Sequence, residues 1–194
     1  RTTPATYNPT FALRAESFKD GSGPDTNDYV VSVADMASFT QGKDKITGTL
    51  HAYDNSKSIG GTETNVFTIQ NKATVFGGAT GNNKVSSVIE TISMYNDTNG
   101  AAVIRLWENT TLGGTPSYTD IDANTSVSSV DIAGTTITGG KLIWVGGVAQ
   151  VGGSNTNVAD LKITMRPGKT YTFTAQSEGG ANPISVGVVW IEDF

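Results

Sequence analysis

The chain has 194 residues, with 13 Lys and Arg against 18 Asp and Glu, one histidine and no cysteine. A chain of this length buries about 70% of its unfolded surface, so its core needs neither disulfides nor thiolate-bound metal. The charge is sparse and slightly acidic, without the basic stripe that tracks a phosphate backbone, and no apolar run approaches the roughly 18 residues of a bilayer span. We therefore expect neither nucleic acid nor membrane as a partner.

The N-terminal part is rich in turn-forming residues and contains Pro4, Pro9 and Pro24. Residues 1–20 are predicted to form an extended arm or linker with one strand at 11–18. Residues 21–194 are predicted to form a single domain.

A short acidic loop follows the predicted arm. Asp20, Asp25, Asn27 and Asp28 supply the oxygen ligands that calcium prefers. Their spacing lacks the regular repeat and the final glutamate of an EF-hand, so an ordinary turn before a strand at 29–33 is the simpler interpretation. Calcium is the one cofactor for which the sequence offers candidate ligands.

Short segments rich in β-branched residues, separated by glycine pairs, fill the rest of the chain. This pattern predicts an all-β fold, an antiparallel β-sandwich of the jelly-roll-like type with an extended N-terminal arm. The residues least typical of strands are 33–41, which are predicted to form a short helix. Strands are predicted at 45–53, 65–69, 73–76, 85–95, 102–107, 127–132, 135–138 and 142–145.

The strands at 85–95 and 102–107 are joined by five residues ending in Asn99-Gly100, which predicts a hairpin. The alternation along the first strand is imperfect, because Glu90 shares the parity of Val88 and Ile92. Glu90 is therefore predicted to lie at an edge, a bulge or a contact between subunits.

The C-terminal residues 161–194 are predicted to form a second hairpin, with Leu161, Ile163 and Met165 facing inward. Its turn contains Pro167-Gly168, the pairing typical of a type II turn.

The last strand is predicted to be covered on both faces. It places Ile184, Val186, Val188 and Trp190 on one face, whereas the other face changes from Ser185 and Gly187 to Val189 and Ile191. A strand that is apolar on both faces is buried on both faces. We therefore predict an oligomer interface at Val189 and Ile191, covered by the arm or by a neighbouring subunit.

The residue types that carry catalysis are scarce. His51 is the one histidine and alternates with Thr49 and Tyr53, so we interpret it as a surface or interface residue rather than the base of a triad. Neighbouring carboxylates, such as Asp120 with Asp122 and Glu192 with Asp193, are interpreted as solvated groups in turns. We predict that the chain is not an enzyme.

A glycan-binding surface is a separate hypothesis. Sugar rings stack on exposed aromatic side chains, and Tyr118 in the polar loop near Trp107 is the best candidate in the sequence. Trp190 shares the parity of three aliphatic residues and is predicted to lie in the core.

Three segments resemble virion structural proteins of tailed phages. They are the strand–Asn–loop–strand unit at 88–106, the segment from Leu161 through Arg166-Pro167-Gly168-Lys169-Thr170 to Ala175, and the terminal segment 184–194, which matches a Val-x-x-x-Trp-x-Glu-Asp ending. The resemblance covers about residues 84–194. It implies a β-sandwich that decorates a capsid or belongs to a head fibre or tail, commonly as a homotrimer, in a virion assembled in the host cytoplasm.

Three functions therefore stay open. The first is a non-enzymatic phage structural protein that contacts itself and other virion proteins through its arm and a sheet edge. The second is a module that binds a surface glycan or a receptor. The third is a subunit of an extracellular surface filament whose arm completes a neighbour's sheet by strand addition.

Overall fold

The structure, a computed structural model, describes residues 48–74, 82–97 and 100–193. The chain divides into two units, Arg1–Asp44 and Lys45–Phe194, and the described residues belong to the second. The predicted arm at 1–20, the strands at 11–18 and 29–33, the helix at 33–41 and the calcium candidates Asp20, Asp25, Asn27 and Asp28 lie outside the described residues. The predicted domain boundary at residue 20 stays a prediction.

The described residues form strands joined by turns and one 3₁₀ turn at Ala159–Leu161. The strands are β1 (Thr49–Ile59), β2 (Thr64–Asn71), β3 (Ser86–Asn96), β4 (Ala102–Glu108), β5 (Thr111–Leu112), β6 (Thr119–Asp120), β7 (Ser128–Asp131), β8 (Ile137–Thr138), β9 (Lys141–Val148), β10 (Gly152–Asn157), β11 (Thr164–Met165), β12 (Lys169–Ser177) and β13 (Asn182–Asp193).

Two antiparallel sheets contain almost all of these strands. Sheet A has the order β1-β13-β3-β10, with β11 also paired to β3, and sheet B has the order β6-β7-β2-β12-β4-β9. A two-stranded ribbon of β5 and β8 stands apart from both sheets. The inner faces of the two sheets enclose the apolar core, so the predicted β-sandwich is confirmed.

The strand order identifies the sandwich as a jelly roll. Four antiparallel pairs form between strands of the first and second halves of the chain: β1 with β13, β2 with β12, β3 with β10 and β4 with β9. The pairs alternate between sheet A and sheet B, and β13 and β12 each also join a strand of the next pair within their sheet. A chain doubled on itself and wrapped in this way has jelly-roll topology, as the sequence predicted.

Both predicted hairpins are wrong, although the strands themselves are present. β3 lies in sheet A and β4 in sheet B. The Pro167-Gly168 turn likewise joins β11 of sheet A to β12 of sheet B, and β13 then returns to sheet A. The short connections are arches that cross the core. A hairpin and an arch need the same alternation and the same turn residues, because each strand still presents one apolar face to the core.

The turn residues adopt the backbone that their sequence predicts. Gly168 has φ 74°, and the Lys169 N–H donates to the Arg166 carbonyl at 3.2 Å, which closes the turn. Gly100 has φ 107°, and the Asn96 amide donates to its carbonyl at 2.6 Å. Both positions favour glycine because other residues avoid this region of backbone space.

Other predicted positions shift. The strand predicted at 45–53 is seen from Thr49 and continues to Ile59, since an edge strand tolerates the polar residues 54–58. Leu161 does not face inward: it ends the 3₁₀ turn and is 62% exposed. β10 was not predicted, because its sequence Gly-Gly-Ser-Asn-Thr-Asn has no apolar residue.

Candidate assembly surface

The outer face of sheet A carries the two residues predicted at an interface. Ile191 lies between Leu50 of β1 and Val88 of β3, and Val189 lies between Ala52 and Thr91. We call Leu50, Val88, Val189 and Ile191 the apolar patch. Leu50 is 64% exposed and the other three are half-buried. Sequence reasoning missed Leu50 and Val88, because only the strand order brings them beside Ile191.

The opposite end of this face is polar. Ser185 lies between Ser56 and Tyr95, and Gly187 lies between Asp54 and Ser93. The change of character that the sequence predicted along β13 therefore extends across three strands. One end of the sheet offers a surface suited to contact with another protein, and the other end a surface suited to water.

A bulge beside the apolar patch directs a carboxylate outward. The pairing of β13 with β3 shifts between Val189 and Trp190, so Glu90 has no partner on β13. Glu90 then lines a groove with Val88 and Ile191. Of the three positions predicted for this residue, an edge, a bulge or a contact between subunits, the bulge is observed, and it aims Glu90 at the outer face, as bulges often do.

A buried carboxylate lies directly beneath the patch. Glu192 is fully buried, and its Oε1 accepts hydrogen bonds from the Ser126 hydroxyl at 2.8 Å, the Ser128 hydroxyl at 2.6 Å and the Trp190 indole at 3.1 Å. Its Oε2 accepts the Val127 N–H at 2.9 Å. The carboxylate thus fastens the loop before β7 to the end of β13.

His51 belongs to the same cluster, which corrects its interpretation as a surface residue. Its side chain is only 9% exposed, its ring stacks on Trp190 with centroids 5.8 Å apart, and its Nε2 lies 3.6 Å from Glu192 Oε2. Alternation from Leu50, which faces outward, places His51 on the inner face. Both serine hydroxyls donate to Glu192 rather than to the imidazole, and we call the cluster of Glu192 with its donors the clamp.

The other predicted carboxylate pairs also serve local structure. Asp120 pairs with Lys72 at 2.9 Å. Asp122 accepts the backbone N–H groups of Asn124 and Thr125, and these bonds lower the pKa of its carboxyl. Glu192 and Asp193 point to opposite faces of β13, one buried and one exposed.

The two aromatic residues proposed for glycan stacking lie in different places: Trp107 is on β4 of sheet B, and Tyr118 is in the loop just before β6. The half-buried Trp107 donates its indole N–H to Glu63 at 3.0 Å and to Thr174 at 3.1 Å. Tyr118 is 36% exposed, and burial together with the charge of Asp131 raises the pKa of its hydroxyl. Asp131, whose charge acts on Tyr118, lies on β7, whereas Trp107 lies on β4. Three strand spacings, about 14 Å, separate Asp131 from Trp107 across sheet B. Glycan stacking at these residues stays a prediction.

Within 48–74, 82–97 and 100–193, no group of three or more His, Cys, Asp or Glu is arranged to hold a metal ion. In the same ranges, no helix is long and apolar enough to cross a membrane.

Comparison with known proteins adds little to these observations. No family model matches the chain, and no curated protein matches it. Among solved structures, the cryo-EM structure of Mud Crab Dicistrovirus aligns with a TM-score of 0.21 at 11% identity, covering 98% of this chain and 90% of that chain. Similarity at this level carries no argument about fold or function, so the jelly-roll assignment rests on the strand order.

Proposed function

We propose that this chain is a non-enzymatic structural subunit of a virus particle, of the kind that decorates a phage capsid or tail, and that it assembles as a homotrimer through the outer face of sheet A. The proposal draws the virion setting and the trimer from the resemblance of residues 84–194 to tailed-phage proteins. The jelly roll is consistent with it, since capsid domains use this fold, but lectins and cupins use it as well.

The observation that carries the proposal is the apolar patch. Four aliphatic side chains converge at one end of the outer face of sheet A, flanked by a groove and backed by the rigid clamp around Glu192. Burying a Val, Leu or Ile side chain contributes about 1.5–3 kcal/mol, so covering these residues in a subunit contact stabilises an assembly substantially. Val189 and Ile191 lie on β13, which pairs with β1 on one side and β3 on the other. This pairing fixes their positions before any contact forms.

The Val189→Asp protein tests this assignment. A carboxylate at the centre of an apolar contact must be desolvated on association, so we expect self-association to weaken by about 100-fold or more. The isolated domain should keep its thermal midpoint, because Val189 faces outward. Sedimentation velocity over a range of concentrations measures the first effect, and circular dichroism measures the second.

Ser185→Asp is the matched control, since Ser185 lies on the same strand and the same face at its polar end. It should associate like the unmodified chain. A Val189→Asp protein that assembles as tightly as the unmodified chain would place the interface elsewhere.

A further inference from the structure

A ridge with opposite charges on its two flanks lies beside the apolar patch. It consists of residues 159–164, which form the 3₁₀ turn, the left-handed Lys162 with φ 49°, and the start of β11. Lys162 and Thr164 line a groove on each side, so the ridge is a wall shared by two grooves. Leu161, 62% exposed, belongs to the ridge.

The first flank is acidic. Its groove has a volume of about 380 Å³ and includes Val88 and Ile191 of the apolar patch. Three carboxylates surround these aliphatic side chains, those of Glu90, Asp160 and Asp193, with the shared Lys162 as the one cation of the groove. None of the three forms an ion pair with another described residue.

The second flank is basic. Its groove has a volume of about 330 Å³ and is walled by Ile143, Leu161 and Ile163. Lys141, Lys162 and Arg166 surround it, with Glu108 as its one carboxylate. The three cations likewise have no ion-pair partner among the described residues.

We propose that the acidic flank of one copy receives the basic flank of a second copy, so that successive copies join through unlike surfaces with Leu161 near the symmetry axis. This inference rests on the proposed function and specifies the partner of the same face. Each flank combines aliphatic side chains with charges that have no ion-pair partner among the described residues, and the net charges of the two flanks are opposite in sign.

The charges favour contact between an acidic and a basic flank over contact between two flanks of the same sign. If acidic flanks faced each other, their unpaired carboxylates would repel, and like charges brought together across an interface cost several kcal/mol in general. Contacts between unlike surfaces close into rings when the rotation allows it. Opposite flanks on one ridge provide the two unlike surfaces that each member of a small ring must present.

Charge reversal on the full 194-residue chain tests the inference. One variant carries Asp160→Lys and Asp193→Lys, a second carries Lys141→Glu and Arg166→Glu, and a third carries all four changes. All four side chains are exposed, so the domain should stay folded. The control carries Asp54→Lys and Asp97→Lys, which change the net charge by the same amount as the first variant but at exposed sites outside both grooves.

Each of the first two variants should weaken self-association by about 100-fold, because both flanks then carry the same sign. The fourfold variant should recover to within about tenfold of the unmodified chain, since its flanks are exchanged and again complementary. The control should leave association unchanged, and association of the unmodified chain should weaken as NaCl rises from about 0.05 M to about 0.5 M.

Two results overturn the inference: association that survives both double variants, or a fourfold variant that stays dissociated while circular dichroism shows it folded. In either case a dissociated Val189→Asp protein would still support assembly through this face, so the two proposals fail separately. If the grooves bind a different protein instead of a second copy, self-association will survive both double variants.

Discussion

Glu192→Ala is expected to lower the free energy of unfolding by about 4 kcal/mol, because it leaves several buried donors without an acceptor. The two serine hydroxyls, the Val127 N–H and the Trp190 indole all donate to this carboxylate. Each orphaned buried group costs about 1–3 kcal/mol, and partial relaxation of the loop before β7 keeps the total below the sum. Urea unfolding followed by tryptophan fluorescence measures the change.

Two further variants distinguish the loss of the hydrogen bonds to Glu192 from a general effect of substitutions at the end of β13. Asp193→Ala changes the exposed neighbour and should cost less than about 0.5 kcal/mol. Glu192→Gln keeps the shape and one carbonyl acceptor and should cost about half as much as Glu192→Ala. A Glu192→Ala protein within about 1 kcal/mol of the unmodified chain would mean that the clamp contributes little.

Phe67→Ala is expected to cost about 4 kcal/mol through the cavity it leaves between the sheets. The Phe67 ring of sheet B contacts Phe173 beside it, with centroids 4.8 Å apart, and Tyr53 of sheet A, with centroids 5.3 Å apart. All side-chain surface of Phe67 is buried, so its removal loses contacts to both layers.

Tyr95→Ala is the matched control, since Tyr95 is 52% exposed on the outer face of sheet A. This substitution should lower the free energy of unfolding by less than about 1 kcal/mol. Both proteins are compared by urea unfolding at a concentration where each is monomeric. Equal costs for the two substitutions would contradict the position of Phe67 at the centre of the core.

The sequence predicted which residues form strands better than it predicted which strands pair. The alternation of Ile184, Val186, Val188 and Trp190 correctly placed that face in the core. The same alternation is satisfied by a hairpin within one sheet and by an arch between two sheets, so local pattern left the pairing of β3, β4, β12 and β13 undecided. Only long-range contacts choose between them.

The sequence identified two of the four residues of the apolar patch. Val189 and Ile191 were identifiable because both faces of β13 become apolar, whereas Leu50 and Val88 join them only through the strand order. Glu192 was interpreted as a solvated residue in a turn. The signal was present, because Trp190 and Glu192 are two residues apart and share a strand face, so a buried Trp190 implies a buried Glu192.

The mass of the full chain in solution tests the central claim, assembly with copies of itself, most directly. Sedimentation equilibrium at about physiological salt should give three times the 20.3 kDa chain mass, about 61 kDa. A mass of 20.3 kDa at every concentration reached would contradict assembly through the outer face of sheet A.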